Sequence, residues 1–201
     1  MANIVSPFED PSTRLSAGRF GMLIFIASLA MIFAASILGV MVVRLDDQGV
    51  WPPPGMPALP LTLFWSSMVL IASSGTQVLA SRAAARGQGE ALRRWMLVTF
   101  SLAVTFMVMQ GWAWSELVDR GLDFSRHLYA WTFYFLTGLH AVHVLGGLIP
   151  MFFVTVRAAR LGYTRENHRS VAYLAMYWHF LDVAWITLYL TLLWGVSSWS
   201  A

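Results

Sequence analysis

Cysteine and lysine are both absent from this 201-residue chain. Without cysteine there are no disulfides, thiolate nucleophiles or cysteine metal sites; without lysine, arginine alone supplies permanent positive charge. Charge of either sign is scarce. Asp, Glu, Lys and Arg together make up 11% of the residues, whereas a soluble domain carries about 25%, so a water-facing surface cannot be assembled from this chain. No internal repeat is evident, which argues against the inverted-repeat transporters. The opening segment, residues 1–19, has no short apolar core behind a basic start, so no cleavable signal peptide is expected there.

What the chain has in abundance is apolar length. Hydrophobic residues account for 58% of it, gathered into windows at Phe20 to Val43, Leu61 to Ser81, Trp95 to Ser115, Leu128 to Val156 and Val171 to Trp199. Asp182 is the only charged residue inside any of them. Each window exceeds the roughly 20 residues a helix needs to cross about 30 Å of hydrocarbon. Strands are excluded, because an open sheet leaves backbone groups unpaired in lipid and a barrel needs short alternating segments. The expected fold is all-α: a polytopic membrane protein with a cytoplasmic segment at 1–19 and one five-helix bundle over 20–199.

The linkers give the orientation. Arg14, Arg19, Arg82, Arg86, Arg93, Arg94, Arg157, Arg160, Arg165 and Arg169 fall on one side of the expected bundle; Arg44, Arg120 and Arg126 fall on the other. By the positive-inside rule the N-terminus is cytoplasmic and the C-terminus outside. Asp46, Asp47, Glu116, Asp119 and Asp123 join the arginine-poor side. The formal charge of +3 is therefore a topology signal and not a nucleic-acid signal. One loop has biased composition, "GVWPPPGMPALP" at Gly49 to Pro60; three successive prolines predict a stiff connector at the outer interface, with Trp51 as its anchor.

Ionisable groups inside the windows need a reason, since each is costly in hydrocarbon and usually faces the bundle interior. His140 and His143 are three residues apart in "TGLHAVHVLGG", and His179 and Asp182 are three apart in "WHFLD", so each pair shares a helix face. Counted at 1.5 Å per residue from their inner ends, His143 and Asp182 lie at depths of about 20 Å and about 17 Å, close enough to meet. Three roles are open: haem ligation, a metal or proton-relay site, or neutral histidines bonded to carbonyls or to Asp182 that fix how the last two helices pack. Asp182 is expected to be hydrogen-bonded to a histidine or to a neighbouring backbone. Trp178 and Trp185, with Asp182 between them, make an aromatic stripe on the last helix. Small residues such as Ala34, Gly39, Ser73, Ser74, Gly146 and Gly147 permit close helix approach, and Pro150 is expected to kink the fourth helix by freeing the Gly146 carbonyl.

"YAWTFYFLTGLHAVHVLGG" from Tyr129 and "YWHFLDVAWITLYL" from Tyr177 resemble the most diagnostic segments of subunit III of haem-copper terminal oxidases. "RFGMLIFIAS" from Arg19, "WPPPG" from Trp51, "LIASSGTQ" from Leu70, and Gln110 follow in the family's order. The resemblance implies the short, five-helix form of that subunit. Implied with it are no haem or copper in this chain, both metals in the catalytic subunit I on which it docks, phospholipid in a cleft, and support of proton uptake during aerobic electron transport. On that reading His140, His143, His179 and Asp182 form a structural polar cluster with no catalytic, cofactor or metal role, in a multi-pass protein of the bacterial inner membrane.

The departures from the family are specific. Leu29 follows Ser28 where a buried glutamate is usual, and Ala113 and Ala172 stand at two further positions that are commonly acidic. Any part those carboxylates play in proton handling does not carry over. The alternatives are the accessory subunit of a nitric oxide reductase, a stand-alone proton-linked transporter, and a haem-binding membrane anchor.

Overall fold

The computed structural model describes residues 11–46, 57–122 and 128–196. Five helices follow in order: α1 (Pro11–Asp46), α2 (Leu61–Ala85), α3 (Gly89–Asp119), α4 (Leu128–Ala159) and α5 (Arg169–Val196). All five are long and apolar enough to cross a membrane. The Trp51 connector, Asp47, Asp123 and Arg126 lie outside the described residues.

The helices overrun the apolar windows because backbone hydrogen bonding, not hydropathy, decides where a helix stops. Residues 11–19, expected as an N-terminal segment, already belong to α1, whose described part runs from Pro11. Ends are closed by backbone geometry. After α2, Gly87 has φ 70°, and Gln88 N donates to the Ala83 carbonyl while Gly87 N donates to that of Ala84, a Schellman closure. α4 closes the same way with Leu161 at φ 53° in the glycine position. α4 stays helical through Pro150 to Ala159.

Side-chain contacts fix the directions. α2 and α3 are antiparallel, joined by Thr76 to Thr99 at 2.8 Å and by Thr62 to Glu116 at 2.9 Å. α4 is antiparallel to α3, through Phe106 with His140 and Trp114 with Tyr134. α5 lies antiparallel to α2 and parallel to α1, which it meets through Phe25 with Tyr177 and Phe33 with Phe180. Toward its C-terminal end α1 is pinned by Arg44, whose guanidinium lies 3.7 Å over the Trp194 ring and donates to the Trp194 carbonyl at 2.9 Å. α5 thus sits centrally, with α1, α2 and α4 around it.

Lipid tails are as apolar as a leucine side chain, so burial alone does not hold such helices together; fit and interhelical hydrogen bonds do. Gly147 provides a close fit between α4 and α5. A Cβ placed there would lie 2.7 Å from Tyr177 Cε1, and the Tyr177 hydroxyl uses that proximity to donate to the His143 carbonyl at 2.9 Å.

Candidate functional site

The aromatic stripe of α5 is a hydrogen-bonded seam. Trp178 and Trp185 are fully buried, and an indole N–H is costly to leave unpaired in hydrocarbon. Trp178 Nε1 donates to Ser73 Oγ at 3.0 Å and Trp185 Nε1 donates to Ser67 Oγ at 2.9 Å. Each serine passes its own proton to a carbonyl of α2, Ser73 to Leu70 at 2.7 Å and Ser67 to Leu63 at 2.8 Å. In the sequence Ser73 is one small residue among several, and nothing in its own neighbourhood marks its hydroxyl as an acceptor. The signal lies in the pairing: two tryptophans seven apart in one helix and serines six apart in another.

The four ionisable groups separate into two places. His140 is completely buried among rings from three other helices: Phe33 at 6.2 Å, Phe106 at 6.1 Å and Trp185 at 4.9 Å between centroids. Among the described residues, none hydrogen-bonds to either of its nitrogens. His143 stands beside it, 5.1 Å from Phe33, and its Nδ1 lies 2.7 Å from its own helix's Leu139 carbonyl. His179 points instead to α2, with Nδ1 2.7 Å from Ser74 Oγ. Asp182 is buried on the same helix, 3.7 Å from His179 Nδ1. Neither Asp182 oxygen has a partner at full bonding distance among the described residues; its polar neighbours are His179 Nδ1, one turn back on the same helix at 3.7 Å, and the Ser74 hydroxyl of α2. His143 turns to α1 while Asp182 stays with His179, because matched depth does not settle which way a side chain faces.

Gln77 and Gln110 are fully buried with unpaired amides as well. Among the described residues, no three His, Asp or Glu side chains converge as a metal-holding group. The positions where the resembled family carries acids are apolar here: Leu29 and Ala113 are buried, and Ala172 is half-buried.

Two cavities adjoin at the arginine-rich end of α1, α4 and α5. One of about 430 Å³ is lined by Met22, Phe25, Gly146, Pro150, Tyr173 and Tyr177, among others. The other, of about 270 Å³, carries Arg19, Arg165, Glu166, His168 and Arg169, and shares Tyr173 with the first. An apolar groove opening onto three guanidinium groups has the polarity of an anionic amphiphile.

Comparison with known proteins gives one consistent result. The family model for cytochrome c oxidase subunit III matches residues 12–198. A probable cytochrome c oxidase subunit 3 from Mycobacterium tuberculosis is 34% identical over 174 residues, covering 84% of this chain and 83% of that protein. One from Nocardia farcinica is 34% identical over 177 residues, covering 86% and 85%. Cytochrome c oxidase subunit 3 of Mus musculus is 31% identical over 185 residues, covering 89% of this chain and 70% of the mouse protein.

Proposed function

The chain belongs to the cytochrome c oxidase subunit III family, and from that premise we propose that it performs no redox chemistry itself and serves as a helical scaffold on the catalytic subunit. As a subunit of a cytochrome c oxidase it is an integral, multi-pass protein of a respiratory complex, and its bacterial relatives favour the inner membrane.

The observation that carries the scaffold reading is how the motif residues are used. Trp178, Trp185 and His179 tie α5 to α2, Tyr177 ties α5 to α4, and His140 is enclosed by three rings. A haem or copper ligand needs a nitrogen aimed at an open position, and His140 is walled in; His143 and His179 use Nδ1 within the bundle, toward Leu139 and Ser74. Haem and copper belong to the partner subunit on this reading. The arginine distribution orients the bundle with the N-terminus cytoplasmic, and the paired cavities suit a phospholipid, acyl chain in the groove and phosphate at Arg19, Arg165 and Arg169. Leu29, Ala113 and Ala172 supply no carboxylates, so any support of proton uptake does not run through those positions.

Purification of a tagged chain in mild detergent tests the assignment. It should bring down a large subunit whose haem absorbs in the Soret region, and the chain separated from that subunit should be colourless. A Soret band that stays with the isolated chain, or a tagged chain that never captures a haem protein, would overturn it.

A further inference from the structure

His179 lies about 15 Å along α5 from Arg169, and about 25 Å of helix remains beyond it, so it sits in the hydrocarbon zone. Even so, 37% of its side chain is exposed. The other hydroxyls on outward faces are compatible with lipid, because they return to their own backbone: Ser28 to Ile24, Thr105 to Ser101 and Thr187 to Val183. His179 differs. Its Nδ1 faces inward to Ser74 Oγ at 2.7 Å and to the buried Asp182 carboxyl at 3.7 Å. With the Ser74 hydroxyl turned to the Asp182 carboxyl, the Nδ1 N–H is the donor to Ser74 Oγ, which leaves Nε2 as the acceptor on the exposed side of the ring.

An acyl chain has no donor to offer, and an unmet acceptor in hydrocarbon is costly. A second copy of this chain docking face to face would set acceptor against acceptor, since a two-fold contact brings the same patch to itself. Around His179 the surface is apolar and shallow. Val183 and Ile186 continue its stripe on α5, and Met68 and Ile71 flank it on α2; all four are exposed. Gly75 adds an open position where an added Cβ meets nothing within 4 Å, so another helix can approach closely.

We propose that this α2/α5 face is where the chain docks on the catalytic subunit, and that a hydroxyl, indole or amide N–H on a membrane helix of that subunit donates to His179 Nε2. The assignment rests on the scaffold reading above and adds to it the face and the contact chemistry.

Photo-crosslinking in the intact complex decides it. A benzophenone amino acid at Val183 should give an adduct with the haem-bearing subunit, while the same group at Val108, equally exposed on α3, should not. An adduct from Val108 and none from Val183 overturns the face. The scaffold reading is scored separately, by whether the unmodified tagged chain captures a haem protein at all. A second measurement addresses the acceptor: His179→Leu should lower retention of the chain on the complex by about fivefold, as expected for one lost hydrogen bond. His179→Gln, which restores an acceptor oxygen, should recover most of it; equal loss in both variants overturns the acceptor role.

Discussion

Trp185 Nε1 donates to Ser67 Oγ at 2.9 Å, a bond between two fully enclosed groups that crosses from α5 to α2. Removing only the serine oxygen leaves a buried indole N–H without an acceptor. Ser67→Ala should therefore cost about 1–2 kcal/mol of stability in detergent, the penalty of an orphaned buried donor. Ser28→Ala, whose hydroxyl returns only to its own helix, should cost close to nothing. In the Trp185→Phe background the cost of Ser67→Ala should shrink, because the donor is gone. Chemical unfolding of the four combinations measures it, and strictly additive costs would show that the bond carries no coupling.

The five helices are legible in the sequence because an uncharged apolar run of this length suits a membrane span and little else, and the tryptophan stripe is legible from spacing. Which helix each stripe meets is not. These helices are apolar nearly all round, so periodicity does not mark a buried face. Ser67 and Ser73 read as small residues until the indoles opposite them are placed. For the same reason His140, His143, His179 and Asp182 read as one cluster: depth along an axis is countable from sequence, whereas rotation about the axis comes from side-chain fit. The start of α1 at 11–19 is hidden because a helix continues past its apolar stretch for as long as its backbone bonds are satisfied.

Two neighbouring glycines should respond to alanine with opposite signs. At Gly147 a Cβ would lie 2.7 Å from Tyr177 Cε1 and 3.2 Å from Cδ1, so the ring must move and its bond to the His143 carbonyl is lost with it. Gly147→Ala should cost about 1–3 kcal/mol. At Gly146 nothing lies within 4 Å, and alanine is favoured over glycine inside a helix by roughly 0.5–1 kcal/mol. Gly146→Ala should hold or raise the thermal midpoint. If both variants shift it in the same direction, the close α4/α5 approach at Tyr177 is misplaced.

Leu161 holds a left-handed conformation, φ 53°, at the end of α4, which costs a residue with a side chain about 1 kcal/mol. Nearly half of the leucine is exposed, so trimming it forfeits little packing. Leu161→Gly should raise the thermal midpoint by about 2 °C. A fall would mean that the packing of its side chain over the start of α3 outweighs the backbone strain.

His140 poses the sharpest question about the interior. Aromatic pairs bracket the next layer on α3 and α4: Phe106 meets His140, and about two turns further on Trp114 meets Tyr134. Gln110 and Thr137 therefore occupy the layer between, both buried. The imidazole and the Gln110 amide are each unpaired within the described residues, and unpaired polar groups at this depth oppose folding. Such groups are more often neutral or favourable to replace with apolar groups of similar shape than to half-remove. Gln110→Met keeps the length and removes two orphaned atoms; His140→Phe keeps a ring among Phe33, Phe106 and Trp185. Each should leave stability unchanged or raise it, by up to about 1 kcal/mol, with the partner's haem content unaltered. Destabilisation by more than that, read by unfolding of the detergent-solubilised chain, would mean that the imidazole is satisfied in the native protein. Loss of turnover in the assembled oxidase with stability intact would return His140 to a proton-handling role.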